Sequence, residues 1–252
     1  MNTPEQMLDA ATHALEDIDV SLPERFRDDD WHDWFARLRK EDPVHYCRDS
    51  INGAYWSVTK HADIKAVDTN HEIFSSEAGG VAIVDPREED KGVENFIAMD
   101  PPRHDEQRRT VTPSVAPANL ATMEPLIRER VIDILDNLPV GETFNWVDKV
   151  SVELTARMLA TLFDFPYEDR RKLVYWSDIT TNVPQVTGIE IDMEERRAGL
   201  QECAITFYQL WQERAAAEPK FDLISMLAHG ESTKDLISDP MKLLGNIILL
   251  IV

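Results

Sequence analysis

Phe96-Ile97-Ala98-Met99-Asp100-Pro101-Pro102-Arg103-His104-Asp105-Glu106-Gln107-Arg108-Arg109 is the stretch on which the reading of this 252-residue chain turns. Asp100 suits a helix N-cap, and proline at the first helical position fits the φ angle fixed there. In the helix that this start predicts, His104 and Arg108 stand at i and i+4, so both side chains project from one face. A His and an Arg so placed can hold a carboxylate, the Arg by its planar fork of donors and the His by one N–H. Arg103 and Arg109 flank them. The segment is thus a basic island in a chain with 26 Lys and Arg against 47 Asp and Glu, a formal charge of −21. On spacing alone, a solvated helix of mixed charge reads the same way.

Beyond this segment the pattern is helical almost without relief. Leu120, Met123, Ile127, Val131, Ile134, Leu135 and Leu138 trace one face of a long amphipathic helix. Further helices are expected over Val150 to Phe163, Glu168 to Asp178, Glu194 to Ala217, Asp222 to His229 and Pro240 to Val252, with a loop holding Pro184 and Gly188. Upstream, Trp31, Trp34, Phe35 and Leu38 give a helix within Asp28 to Lys40, and His61 to Val67 a shorter one. Pro43 to Cys47 and Ala54 to Thr59 read as two strands around the turn Ser50-Ile51-Asn52-Gly53. Ser75 to Asn95, with Gly79-Gly80 and Pro86, reads as a long irregular loop, a class of segment that is often functional. The fold class is mainly α with a small β-element, in a single domain over 1–252 that we read as incomplete.

Composition and missing motifs narrow the function. So acidic a chain is poorly suited to duplex DNA or an anionic membrane, so nucleic acid is not an expected partner. Two cysteines, Cys47 and Cys203, without CxxC spacing make neither a disulfide scaffold nor a zinc ribbon. The acidic N-terminus lacks the features of a signal peptide, and the apolar run Leu243 to Val252 is far short of the ~20 residues a membrane span needs. The cytoplasm is the expected compartment. That run is apolar on all sides and ends without a cap, which reads as an N-terminal piece of a longer protein. Neither GxGxxG, a P-loop, GxSxG nor HExxH occurs. The adjacent pairs His32-Asp33 and His71-Glu72 cannot face one another on a helix or strand. Glu106/Arg109, Glu168/Arg171 and Glu194/Arg197 have Glu-x-x-Arg spacing and read as helix-surface pairs.

Met99-Asp100-Pro101-Pro102-Arg103-His104 through Arg109, followed by Val115-Ala116-Pro117, resembles the helix C motif of the cytochrome P-450 superfamily. Trp56 to Lys60 with Asp63-Ile64 resembles its first β-sheet and helix B, and Phe74-Ser75-Ser76 the start of its B–C loop. Leu154 to Phe165, Asp222 to Leu227 and Leu243 to Val252 resemble helices E, H and the first half of helix I. The order is right over nearly the whole chain. Phe96 to Leu120 and the segment from Asn182 onward resemble, more narrowly, the soluble bacterial alkane and fatty-acid terminal hydroxylases.

The resemblance implies the N-terminal part of the cytochrome P-450 fold, truncated within helix I, and haem b as cofactor. It implies a haem-thiolate monooxygenase that inserts one oxygen atom of O2 into an unactivated C–H bond, at the terminal carbon of medium-chain alkanes or fatty acids. His104 and Arg108 would then bind haem propionates. Arg103 and Arg109 would face the proximal surface, where a ferredoxin supplied by an NAD(P)H-dependent ferredoxin reductase docks. Ile83 and Val84 fall in the first substrate-recognition segment, and Val183 and Val186 in the F–G lid. No metal ligand is expected in this chain. The haem-ligating cysteine, the helix K Glu-x-x-Arg pair and the acid-alcohol pair all belong beyond Val252, and neither Cys47 nor Cys203 sits in a glycine-containing ligand loop. This stretch alone is therefore expected to be inactive. Taken without the resemblance, the residues also fit a non-catalytic helical module that binds an apolar ligand or a partner protein.

Overall fold

The structure, a computed structural model, describes residues 9–79, 81, 83 and 94–252. In chain order, α1 (Pro23–Arg27) and α2 (Trp31–Glu41) precede the strands β1 (Val44–Cys47) and β2 (Tyr55–Val58). Then come α3 (His61–Asp68), the one-turn α4 (Ser76–Gly79), α5 (Arg103–Val111) and α6 (Pro117–Asp136). After these follow α7 (Glu153–Phe163), α8 (Arg171–Thr181) and the one-turn α9 (Pro184–Thr187). The order closes with α10 (Met193–Ala215), α11 (Leu223–His229) and α12 (Pro240–Ile251). Two compact units emerge: one comprises residues 1–91, 97–100 and 183–190, the other residues 92–96, 101–182 and 191–252.

The first unit is organised around Ala10, Ile18, Val20, Trp34 and Leu38, with Leu15 and Phe35 packed against them. The helical spacing of Trp34 and Leu38 puts both on one face of α2, and the Arg25 guanidinium lies 3.6 Å over the Trp34 ring. β1 and β2 pair antiparallel, with Val44 opposite Val58 and Cys47 opposite Tyr55. The turn between them requires Gly53, whose φ of +80° lies in the left-handed region. Ser50 fastens it by donating its hydroxyl to the Gly53 carbonyl at 2.7 Å. The hairpin is tied down by Tyr55, whose hydroxyl donates to Asp19 at 2.7 Å.

The second unit packs α7, α8, α10 and α12 around an aromatic cluster of Phe163, Phe165, Trp176 and Phe207. The predicted helices fall where periodicity places them, with four local differences, and the short α1, α4 and α9 form where the sequence predicted no helix. A π-helical turn, Val147–Val152, leads into α7, and a 3-10 turn, Tyr167–Asp169, precedes α8. On α6, Ile134 is buried, but Leu120 and Leu135 of the same predicted face are exposed. The fourth concerns α5. Asp100 does not cap it: its carboxylate accepts the Ser75 hydroxyl at 2.5 Å and the Ser76 N–H at 3.0 Å. With that carboxylate engaged elsewhere, Pro101 and Pro102 form a turn and the helix opens at Arg103. The Ser75 hydrogen bond, outweighing partial desolvation, holds the Asp100 carboxyl below the usual range.

α11 is capped by Asp222, whose carboxylate accepts the Ser225 N–H at 2.8 Å. Its far end holds α5 in place. A Cβ on Gly230 would lie 2.5 Å from the Thr233 hydroxyl, 2.6 Å from the Thr110 methyl and 3.0 Å from the Met226 carbonyl oxygen. The Thr233 hydroxyl is buried and committed to the Leu227 carbonyl at 2.6 Å. Gly230→Ala is therefore expected to destabilise by about 2 kcal/mol through overpacking, read as a lower urea midpoint at unchanged slope. An unshifted midpoint would show that α5 is free to slide on α11.

Candidate functional site

α5 brings His104 and Arg108 onto one face, as their spacing requires. The local support comes from the segment just before the helix. The Phe96 carbonyl accepts a hydrogen bond from His104 Nδ1 at 2.8 Å, and the two rings meet edge-on with centroids 6.3 Å apart. A carbonyl only accepts, so Nδ1 carries the proton and Nε2 is the nitrogen left to meet a ligand. Among the described residues, Nε2 has no partner, and the exposed Arg108 guanidinium makes neither a hydrogen bond nor an ion pair. One anchored imidazole and one uncommitted planar cation, a helical turn apart, suit carboxylates. A carboxylate at Nε2 finds an N–H there only when the ring carries both protons, so such a ligand favours the imidazolium.

Sequence reasoning placed His104 and Arg108 but missed what orients them. Phe96 contributes through its backbone, which side-chain spacing does not reveal. Asn246 is buried in α12, and its side-chain oxygen accepts the Phe96 N–H at 3.1 Å. Its one sequence signal is a carboxamide inside an otherwise apolar run.

The aliphatic positions lie in the other unit. Val183 and Val186 share the turn of α9, where the Val186 N–H donates to the Val183 carbonyl at 2.9 Å, and they are 40% and 41% exposed. Gly188 closes that turn at a φ of +68°. Ile83 is exposed. Val84 lies outside the described residues.

Cys47 and Cys203 are both free thiols and both buried. Burial pushes each upward, Cys203 to about 12. A thiol reagent applied to the folded protein is therefore expected to label both only as fast as the structure opens. Prompt stoichiometric labelling of either would show that its burial is incomplete. Among the described residues no group of three metal-ligating side chains forms, and no helix is long and apolar enough to cross a membrane. Of the Glu-x-x-Arg pairs, Arg171 turns away from Glu168 to Asp148 at 2.9 Å and Glu153 at 3.2 Å, because those carboxylates lie across the helix interface.

No family model matches the chain. Comparison with individual proteins is decisive. Linalool 8-monooxygenase of Pseudomonas putida is 30% identical over 233 residues, which are 86% of this chain and 55% of that enzyme. Cytochrome P450-153 from Novosphingobium aromaticivorans superposes with a TM-score of 0.81 at 41% identity, over 93% of this chain and 58% of the other. CYP153D17 from Sphingomonas sp. PAMC 26605 does so with a TM-score of 0.80 at 43% identity and the same coverage. A mainly helical frame with a two-stranded sheet, matched by these structures over 93% of the chain, is part of a haem-protein fold. The chain belongs to the cytochrome P450 superfamily, whose members bind haem b. It spans about half the length of the curated relatives it matches.

Proposed function

We propose that this chain, which spans about half the length of its curated relatives, serves within a haem-dependent monooxygenase that acts on an apolar chain, hydroxylating the terminal carbon of a medium-chain alkane or fatty acid. The observation that carries this reading is the α5 pair, His104 anchored at Nδ1 and Arg108 uncommitted, in a chain more than 40% identical to two P450-153 structures. His104 and Arg108 are the residues that hold the haem propionates. Haem b, when bound, supplies the oxygen-activating chemistry. Ile83, Val84, Val183 and Val186 contribute apolar surface to the substrate channel, where their task is to orient the chain end and exclude water. Arg103 and Arg109 present positive charge to an acidic ferredoxin, itself reduced by an NAD(P)H-dependent reductase. One oxygen atom of O2 enters the C–H bond and the other leaves as water, with two electrons drawn from NAD(P)H. The cytoplasm is the compartment in which this electron supply is met.

The test begins with the full-length protein supplied with haem, reduced, and exposed to CO. A red-shifted Soret band of thiolate-ligated haem supports the reading, and its absence overturns the monooxygenase assignment for the polypeptide tested. The spectrally competent protein is then given octane or dodecanoic acid with ferredoxin, reductase and NADPH. Oxygen at the terminal carbon is the expected product. Hydroxylation confined to internal or ring positions of terpenes or steroids would keep the monooxygenase and overturn the substrate class.

A further inference from the structure

Asn246 is 1% exposed, on the buried face of α12, among Leu243, Leu244 and Ile247. A carboxamide in such surroundings is costly unless both its ends are bonded. Here both are. Its nitrogen donates to the Lys242 carbonyl, one turn back in the same helix, at 2.9 Å. Its oxygen accepts the Phe96 N–H at 3.1 Å. The orientation is set by the partners: a carbonyl must face the amide nitrogen, and a backbone N–H must face the oxygen. Phe96 in turn accepts from His104 Nδ1. Phe96 is therefore held from both sides, by α12 through its N–H and by α5 through its carbonyl.

A second strap runs beside the first. Lys242, at i−4 from Asn246 and so on the same helix face, places its ammonium 3.3 Å from the Glu94 carboxylate. The segment 94–96 is thus fastened to α12 at two points a helical turn apart.

We propose that Asn246 is a positioning residue for the haem-propionate site, acting on His104 through the backbone of Phe96. By fixing the Phe96 carbonyl it holds the proton of His104 at Nδ1 and aims Nε2 outward. The role rests on the propionate reading of His104 given above, and the experiment separates the two.

Nitrogen-15 NMR of the His104 ring in the unsubstituted protein comes first. The Nδ1–H tautomer is expected, and an Nε2–H tautomer would overturn the relay without recourse to any variant. In Asn246→Leu, which keeps the branch at Cγ but offers no acceptor, the Phe96 amide should exchange about tenfold faster, the equivalent of one hydrogen bond. His104 should then populate both tautomers, and Asn246→Asp, which retains an acceptor, should restore Nδ1–H. An unchanged His104 spectrum in Asn246→Leu would overturn the proposal. Haem affinity, read by titration with haem b, should fall about tenfold in Asn246→Leu. In a His104→Ala background the same substitution should lower it no further, whereas full additivity would overturn action through His104. If His104→Ala alone leaves haem affinity unchanged, the propionate reading fails and the positioning role with it, although the relay itself stands.

Discussion

Glu153→Ala is expected to lower folding stability by about 3–5 kcal/mol, the range for breaking a buried ion pair from one side. Glu153 is buried at the start of α7 and serves Arg157 and Arg170 at 2.7 Å each through one oxygen, and Arg171 at 3.2 Å through the other. Without it, Arg157 keeps Asp133 at 2.6 Å and Arg171 keeps Asp148 at 2.9 Å. Arg170 keeps only the Tyr167 carbonyl at 2.9 Å and the face of its ring. Arg170 thus bears most of the loss, while the half-exposed Arg171 contributes least because solvent screens it.

The effect carries a pH signature. Burial pushes the Glu153 carboxyl up, but hydrogen bonds from Arg157 and Arg170 outweigh that and hold it below the usual glutamate range. For a depressed carboxyl, the stabilisation is complete above the unfolded value of about 4.3. It is lost as pH falls through the folded value. Urea titrations of wild type and variant should therefore differ most near neutrality and converge in acid. A gap that stayed constant down to about pH 3 would mean that shape, rather than charge, gives Glu153 its worth.

The other large effect is expected at Trp176. It is fully buried on α8, its ring edge-on to Phe165 at 6.0 Å and to Phe207 at 5.8 Å between centroids. Trp176→Ala leaves a cavity at the junction of α8 and α10 and should cost about 3–5 kcal/mol. Trp176→Phe should cost much less, for a reason specific to this site. The indole N–H is buried without a hydrogen-bond partner, so phenylalanine forfeits no bond and removes an unmet donor. Denaturant midpoints for the two variants decide the matter. Equal losses would mean that the N–H has a partner in solution, such as a water.

Local spacing carried much of this. Trp34 and Leu38 share a face of α2, and His104 and Arg108 share a face of α5, because 3.6 residues per turn makes them neighbours. The hairpin followed from two short strand patterns around a turn that needs a residue of positive φ, met by Gly53. The helices expected over Asp222 to His229 and Pro240 to Val252 form, and the structure adds that Asp222 and Asp239 cap them. The family, too, was legible from the segment Met99 to Pro117 and the order of elements around it.

Partners brought in from distant parts of the chain were not legible. Asp100 has the composition of a cap, yet Ser75 and Ser76 claim its carboxylate from 25 and 24 residues away. Arg171 has the spacing to pair with Glu168, yet it turns to Asp148 and Glu153, whose carboxylates packing places nearer. Asn246 looks like a blemish in an apolar helix until Phe96, 150 residues earlier, supplies the donor its oxygen needs. The sequence by itself determined which side chains share a face, because that depends only on the repeat of the local backbone. Tertiary structure alone decided which donor meets which acceptor, since a buried polar group takes whatever partner the packing of remote elements delivers.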